Sequence, residues 1–337
     1  MTEVKPSYFQ KSLAALIIEA MRTFDADALE CLAAIVEEGG FERAAVRLSI
    51  TQSAVSQRLR SLEAQVGTVL LVRSRPLRPT TAGRLLIKHA VQLRLLRADL
   101  ENDLQDLTPG ANAQREEDRI SIAVNADSIA TWALPALSHL VHDGLPLEII
   151  TDDQDFTHEW LREGQVLGCV TTLKQALRGC KVMALGDMHY VAVATPEFVA
   201  AQCPQGLTPH NFRQIPFIAF NRKDDLQAEF VSGALGLRRV ALSQRFVPST
   251  EGQVHAVLSG WGASVVPQML VQARIDSGDL VNLAPKFSLP VSLYWHCWNL
   301  SSDVIDRLTK ALAHGAETAL GKPAKPISHK ITPRSTK

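Results

Sequence analysis

FERAAVRLSITQSAVSQRLRSLEAQV, residues 41–66, reads as a helix, a tight turn and a second helix. In the second helix Val55, Leu59, Leu62 and Val66 fall at i, i+4, i+7 and i+11, an apolar stripe that buries one face. The other face presents Gln52, Ser53, Ser56, Gln57 and Arg60, with Thr51 at its start. Hydrogen-bonding side chains of this kind match base edges in a major groove, and there is almost no acid to repel phosphate. The expectation is a DNA recognition helix.

Working outward, Asp27 is the expected cap of a preceding helix with Leu29, Leu32, Ala33 and Val36 on one face, stopped by Gly39-Gly40. Phe41 to Leu48 is the next helix, whose small Ala44 and Ala45 admit close packing. Ser49-Ile50-Thr51 is the turn, Thr51 or Ser53 the cap of the recognition helix, and Gly67 its end. A strand over residues 68–72 runs into Arg73-Ser74-Arg75-Pro76-Leu77-Arg78-Pro79, where prolines stiffen a basic stretch. Alone this is a solvated loop; beside a helix-turn-helix it predicts a wing whose Arg73, Arg75 and Arg78 lie along phosphates.

Residues 81–107 read as one long helix. Leu86, Leu93, Leu100 and Leu107 repeat every seven residues with Ala90 and Leu104 between them, the pattern of a two-helix seam. The stripe packs either on the chain's own C-terminal domain or on a second copy, and a two-fold dimer suits paired operator half-sites.

The chain has Lys+Arg 35 and Asp+Glu 35, so net charge says nothing about nucleic acid. From Arg43 to Arg97, however, eleven basic residues face a single acid, Glu63. The polyanion partner is therefore expected for the N-terminal part alone. Five scattered cysteines without CxxC spacing indicate reduced thiols rather than a disulfide framework. No apolar run approaches a membrane span and no cleavable leader is evident, so the expectation is a cytoplasmic protein away from any membrane and, as a DNA binder, associated with the nucleoid.

The expected organisation is an extension over residues 1–23, a winged helix-turn-helix over 24–80, a linker dimerisation helix over 81–107 and a hinge over 108–118. An α/β effector and oligomerisation domain follows over 119–320, and a basic disordered tail over 321–337. The α/β assignment rests on short apolar strands alternating with helices: strands at 120–124, 147–150, 167–171, 190–194, 217–220, 240–247, 263–266 and 291–298. So many strands suggest two similar halves, about 119–190 plus 291–320 and 191–290, joined by crossing strands. A cleft between them is the default ligand site.

At this point the chain resembles the LysR-type transcriptional regulators over about residues 24–320. FERAAVRLSITQSAVSQRLRSLEAQVGTVLLVRS is similar to the family's helix-turn-helix and wing almost without gaps. Many members carry Ser-Arg-Gln where this chain has Ser56-Gln57-Arg58, so a base contact made by that arginine is not transferred to Gln57. The strings GFERAA, ITQSAVSQR, LLVR, SIAVNADSIATWALPAL and LYWH resemble the ArgP (IciA) and LysG branch. The resemblance implies a winged helix-turn-helix, a linker helix and a two-lobed, Rossmann-like effector domain similar to periplasmic binding proteins. It also implies a homodimer or homotetramer that binds double-stranded operator DNA, works with RNA polymerase, senses lysine or arginine, and controls amino-acid export or biosynthesis genes. No cofactor or metal is implied.

The candidate effector site begins at Asn125-Ala-Asp127-Ser128, where a strand meets a helix and Ser128 is the expected cap. Free N–H groups there suit a carboxylate, although a plain N-cap reads the same way. A second corner is Ser249-Thr250-Glu251, with Thr250 the expected cap, and Thr171, Thr172, Phe220 and Asn221 complete the ring. A basic ligand needs an anion for its side chain. Of Asp127, Asp152, Asp153, Asp224 and Glu251, Asp127 is the first choice and Glu251 the second.

Two other classes compete. An architectural or replication-initiation-control DNA binder would need no effector and would bind curved A/T-rich DNA broadly. An enzyme would need a motif that is missing: His189, His255 and His296 lack a spaced carboxylate or serine, and no GxGxxG follows a strand. A periplasmic solute receptor would share the two-lobed domain but not the N-terminal reader.

Overall fold

The computed structural model describes residues 24–72, 74, 76–107, 119–152 and 157–320. The expected extension, hinge and tail lie outside them. The chain divides into two units near Asp103.

In the first unit, α1 is Ala26–Glu37, α2 Phe41–Arg47 and α3 Gln52–Val66. The cap of α1 is Asp25 rather than Asp27: its carboxylate accepts the Asp27 N–H at 3.3 Å. Asp27 sits inside the first turn and serves an ion pair instead. The turn into α3 is tight, with Ser49 at φ 52, and Thr51 caps α3 by accepting the Ala54 N–H at 3.2 Å. Gly67, at φ 79, closes α3 in the left-handed region that glycine adopts without strain.

Val55, Leu59 and Leu62 are buried as the period predicts, packed with Leu29, Leu32 and Ile35 of α1, and Val66 is half-buried beside them. The wing is shorter than the 68–72 strand reading. Among the described residues Leu71–Val72 (β1) and Arg78–Pro79 (β2) pair, antiparallel, with Leu71 opposite Pro79. Proline has no N–H for the ladder, and beyond it the Thr80 N–H still donates to the Leu70 carbonyl at 2.9 Å.

Helix α4 spans Thr81–Leu107. Ile87 and Ala90 are buried in the winged-helix core and Leu86 packs on it, so Ala90 is not part of the seam. Leu93, Leu96 and Leu100 are exposed.

The second unit is built on one nine-stranded sheet. In chain order come β3 (Ile120–Asn125), α5 (Ala126–Ser128), a π turn (Ile129–Ala133), α6 (Leu134–His142), β4 (Leu147–Asp152), α7 (Thr157–Arg162), β5 (Gly168–Thr171) and β6 (Cys180–Ala194). There follow α8 (Pro196–Gln202), β7 (Pro216–Ala219), α9 (Leu226–Leu235), β8 (Ser243–Phe246), α10 (Thr250–Leu258), β9 (Ala263–Pro267), α11 (Gln268–Ser277), β10 (Val281–Asn282), β11 (Leu289–Trp298) and α12 (Asp303–Leu320).

The strand order is β4-β3-β5-β11-β6-β9-β7-β8, with β10 on β6. Strands β4, β3 and β5 are parallel in one half, and β8, β7 and β9 are parallel in the other. The crossing strands are β6 and β11, antiparallel from Leu289 opposite Tyr190 to Trp298 opposite Cys180. Strand β6 is thus far longer than the 190–194 reading. Its first part carries exposed Lys181, Val182 and Ala184 and half-buried Asp187, which hide the alternation that marks a buried strand. Conversely β8 is shorter than 240–247, and all four of its residues are exposed.

Candidate functional site

Two surfaces carry the chemistry. On α3, Gln52, Ser53, Gln57 and Arg60 are exposed together with Thr51, and Ser56 is half-buried between them. Arg78 is exposed on β2. Arg73 and Arg75 lie outside the described residues. The basic field is smaller than the count suggests. Arg58 lies 3.1 Å from Asp27. Arg47 pairs with Glu37 and, at 3.6 Å, with Glu38, and Arg94 from α4 pairs with Glu30 at 2.8 Å and with Glu37 at 3.3 Å. The acids of α1 and its end therefore neutralise three arginines of the unit. The single acid of the field, Glu63, accepts the Leu70 N–H at 2.8 Å and so roots the wing.

The second surface lies at the carboxyl ends of parallel strands, the usual ligand position in open α/β sheets. The segment after β3 faces the segment after β7 across a small cavity of about 30 Å³, lined by Asn125, Ala126 and Asp127 from one half and by Phe220, Asp224, Leu226, Gln227, Gln253 and Val265 from the other. The Asn125 side chain is 1% exposed, and neither its Nδ2 nor its Oδ1 has a hydrogen-bond partner. A buried amide left unpaired costs about 1–3 kcal/mol, so its presence calls for an explanation.

Asp127 accepts two hydroxyl hydrogens: Tyr190 donates to Oδ2 and Thr250 to Oδ1, each at 2.6 Å. The Thr250 bond ties the two halves of the domain together. Burial pushes the Asp127 carboxyl above the ordinary carboxylate range; the two hydroxyls pull it back, and the charge of Asp224 adds to the rise. Asp224 shapes the opposite wall, its carboxylate accepting the N–H of Phe220 at 2.8 Å and of Leu226 at 3.0 Å. The two glutamines of that wall are spent on their own half. Gln227 bonds both backbone groups of Val265, and Gln253 bonds Ser264 and Val247.

Comparison with known proteins gives these surfaces a setting. Residues 26–84 match the bacterial regulatory helix-turn-helix of the lysR family, and residues 113–315 match the LysR substrate binding domain. ArgP of Aeromonas salmonicida is 38% identical over 89% of this chain and 99% of its own. LysG of Mycobacterium tuberculosis is 41% identical over 87% of this chain and 93% of its own. Among solved structures, ArgP of Mycobacterium tuberculosis superposes with a TM-score of 0.72 at 39% identity, covering 88% of this chain and 99% of that one. Full-length LysG of Corynebacterium glutamicum with bound effector Arg superposes at 0.68 and 32% identity, covering 88% and 100%.

The chain belongs to the LysR family. It is a transcriptional regulator rather than an enzyme, as its relatives are named. Its fold is that family's helix-turn-helix joined to a two-lobed α/β domain.

In this LysR regulator the cavity brings together Asn125, Asp127 and Phe220 of the residues expected from sequence, and Thr250 reaches the same carboxylate. Ser128 is not the cap: Asn125 holds that position, and buried Ser128 accepts the Trp132 indole N–H at 3.1 Å. Thr250 is not a cap either, since Ser249 caps α10 by accepting the Gly252 N–H at 3.1 Å. Ser249 and Glu251 are exposed, and neither lines the cavity. Thr171 is buried at the end of β5, while Thr172 and Asn221 are half-buried; none of the three lines it. Asp153 lies outside the described residues. Sequence reasoning named Asp224 among the available acids without choosing it, and missed Tyr190. A strand-interior tyrosine carries no local signal of what its hydroxyl meets.

Proposed function

We propose that this LysR-family regulator binds a double-stranded DNA operator and that a basic amino acid, lysine or arginine, in the cleft tunes that binding. The observation that carries the effector half is Asn125, a fully buried and unpartnered amide beside the Asp127 carboxylate in the cavity between the two halves. A buried amide left unsatisfied beside a carboxylate in a cleft is what a ligand with complementary groups would complete. That the Corynebacterium glutamicum LysG takes Arg as its effector supports a basic amino acid here.

The DNA half rests on the exposed polar face of α3. Gln52, Ser53, Ser56, Gln57 and Arg60 read bases, Thr51 orients the start of the helix, and Arg73, Arg75 and Arg78 hold phosphates. Leu93 and Leu100, exposed on α4, form the seam of a homodimer, which can pair further into a homotetramer. The regulator works on the nucleoid in the cytoplasm beside RNA polymerase, controlling amino-acid export or biosynthesis genes. Among the described residues no helix is long and apolar enough to cross a membrane. Ligand binding shifts the dimer only if it binds two arrangements unequally.

The test is footprinting and in vitro transcription on candidate promoters with and without L-lysine or L-arginine. An altered footprint or output is expected. Identical footprints and transcription would leave an architectural binder without an effector.

A further inference from the structure

Among the described residues, the cavity is lined by two acids and no base. Its lining residues include Asp127 after β3 and Asp224 after β7, one from each half, and no lysine, arginine or histidine. The charged group that acts on Asp127 is Asp224, another acid. Arg222, near Asp224 in sequence, is stacked on the Phe246 ring at 5.8 Å. Two carboxylates sharing one enclosed site repel, and such an arrangement is relieved by a cation between them. Asn125 adds a second, independent sign of a ligand, since its amide is buried, aimed at the same space and without a partner. The Gln227 and Gln253 amides are already bonded within their own half, so Asn125 is the amide of the lining that can still make bonds.

Resting on the reading of an amino-acid effector above, we infer that Asp127 and Asp224 form a two-carboxylate cradle for the side-chain cation of that effector, with the Asn125 amide completing its hydrogen bonds. The side chain is assigned rather than the α-ammonium for an electrostatic reason. An α-ammonium lies within about 3 Å of its own carboxylate, which two further carboxylates would repel with energies that grow as distance falls. A guanidinium or an ε-ammonium sits several bonds from that charge. Asp127 can serve while keeping its Tyr190 bond. A carboxylate offers about four lone-pair sites, of which Tyr190 and Thr250 take two. At about 30 Å³ the cavity takes one or two waters, so an amino acid enters by parting the halves. The bond broken or loosened in doing so is Thr250 to Asp127.

The experiment is titration calorimetry on the full chain with L-arginine against L-citrulline and L-lysine against L-norleucine, pairs that differ in the side-chain charge while sharing the α-ammonium. The wild type is expected to prefer the charged member by at least about tenfold. Asp224→Asn, which keeps an acceptor for the Phe220 and Leu226 N–H groups, is expected to narrow that preference to within about threefold. Asp224→Glu, which keeps the charge, is expected to retain most of it. Equal binding of arginine and citrulline by the wild type would overturn the cradle while leaving an amino-acid effector in place. An unchanged arginine-to-citrulline ratio in Asp224→Asn would overturn the role of Asp224. If the wild type binds none of the four, the effector reading itself fails and the cradle with it.

Discussion

Arg58 of α3 reaches back to Asp27 of α1, its Nη2 3.1 Å from the carboxylate Oδ2, while its neighbour Gln57 stands exposed on the same helix. The two residues are adjacent in sequence, yet one is paired within the unit and the other is open to solvent. Arg58→Ala should cost little stability, because its pair is partly solvated and such pairs contribute about 0–1 kcal/mol. It should also leave base preference unchanged. Gln57→Ala should instead relax discrimination at one operator position by about 1–3 kcal/mol, the worth of a good bidentate contact. Competition binding on operator variants measures both. A preference that shifts with Arg58 and not with Gln57 would reverse the assignment.

Arg94 is the anchor between α4 and the winged-helix core. Its side chain is 12% exposed and lies against Glu30 and Glu37, which Arg47 also approaches. Removing it as Arg94→Ala leaves two part-buried carboxylates short of charge, a loss on the order of 3–5 kcal/mol for a broken buried pair. Burial pushes Glu37 up, but Arg94 and Arg47 outweigh it and hold the carboxyl below the ordinary range. For Glu30 burial outweighs the same arginines, and the carboxyl stands above that range. The two therefore pull stability in opposite directions with pH. The Glu37 share is complete above the ordinary carboxylate range and is lost as pH falls through the lowered value; the Glu30 share runs the other way. Denaturant melts should show wild-type stability falling at the acid end, and Arg94→Ala should flatten that fall because Glu37 loses its main cation. An acid limb equally steep in the variant would show that Arg94 does not hold Glu37.

How much of this was legible in the residues differs between the two units. The reading head is built from local periods: Val55, Leu59 and Leu62 announce their own burial, and Thr51 sits where a cap is needed. The Asp25 cap differs from the Asp27 reading because two acids stand two residues apart, and only the backbone turn at Asp25 decides between them. In the effector domain the errors share one cause. Ser128 and Thr250 are good cap residues by type, but each hydroxyl is engaged elsewhere, Ser128 by Trp132 one helical turn on and Thr250 by Asp127 of the other half. Asp224 outranks Glu251 for the same reason. Which acid faces a cavity depends on how the two halves meet across β6 and β11, and no local pattern encodes that.

The Asp127 carboxyl stands above its ordinary range chiefly through burial, so an unfolded chain ionises first. Stability of the effector domain should then decline as pH rises from the ordinary aspartate range through the raised value. A bound cation favours the ionised form, so the rise in Tm produced by L-arginine should grow over the same window. Thr250→Val keeps the shape but removes one of two hydroxyl donors, which should move the window to higher pH and cost about 1–3 kcal/mol. Thermal melts with and without arginine, taken across the acid range for both proteins, decide it. Windows that coincide would mean that the Thr250 hydroxyl does not hold the carboxylate.

Leu93, Leu96 and Leu100 are 36%, 42% and 57% exposed on one stretch of α4, at spacings of three and four that place them on one stripe. The same helix buries Ile87 and Ala90 in the winged-helix core, so its two ends differ: the first half packs on that core, the second leaves its leucines exposed. Burying such a stripe against a second copy would gain about 1.5–3 kcal/mol for each fully covered leucine. Leu93→Lys with Leu100→Lys should therefore yield monomers in sedimentation at concentrations where the wild type is dimeric. The core leucines are untouched, so far-ultraviolet dichroism should still report a folded chain. Half-site binding should survive at reduced affinity, since the reader face on α3 is unaltered while the gain from linking two readers is lost. A double variant that stays dimeric would place the two-fold interface elsewhere, and α4 would then connect the domains without joining the subunits.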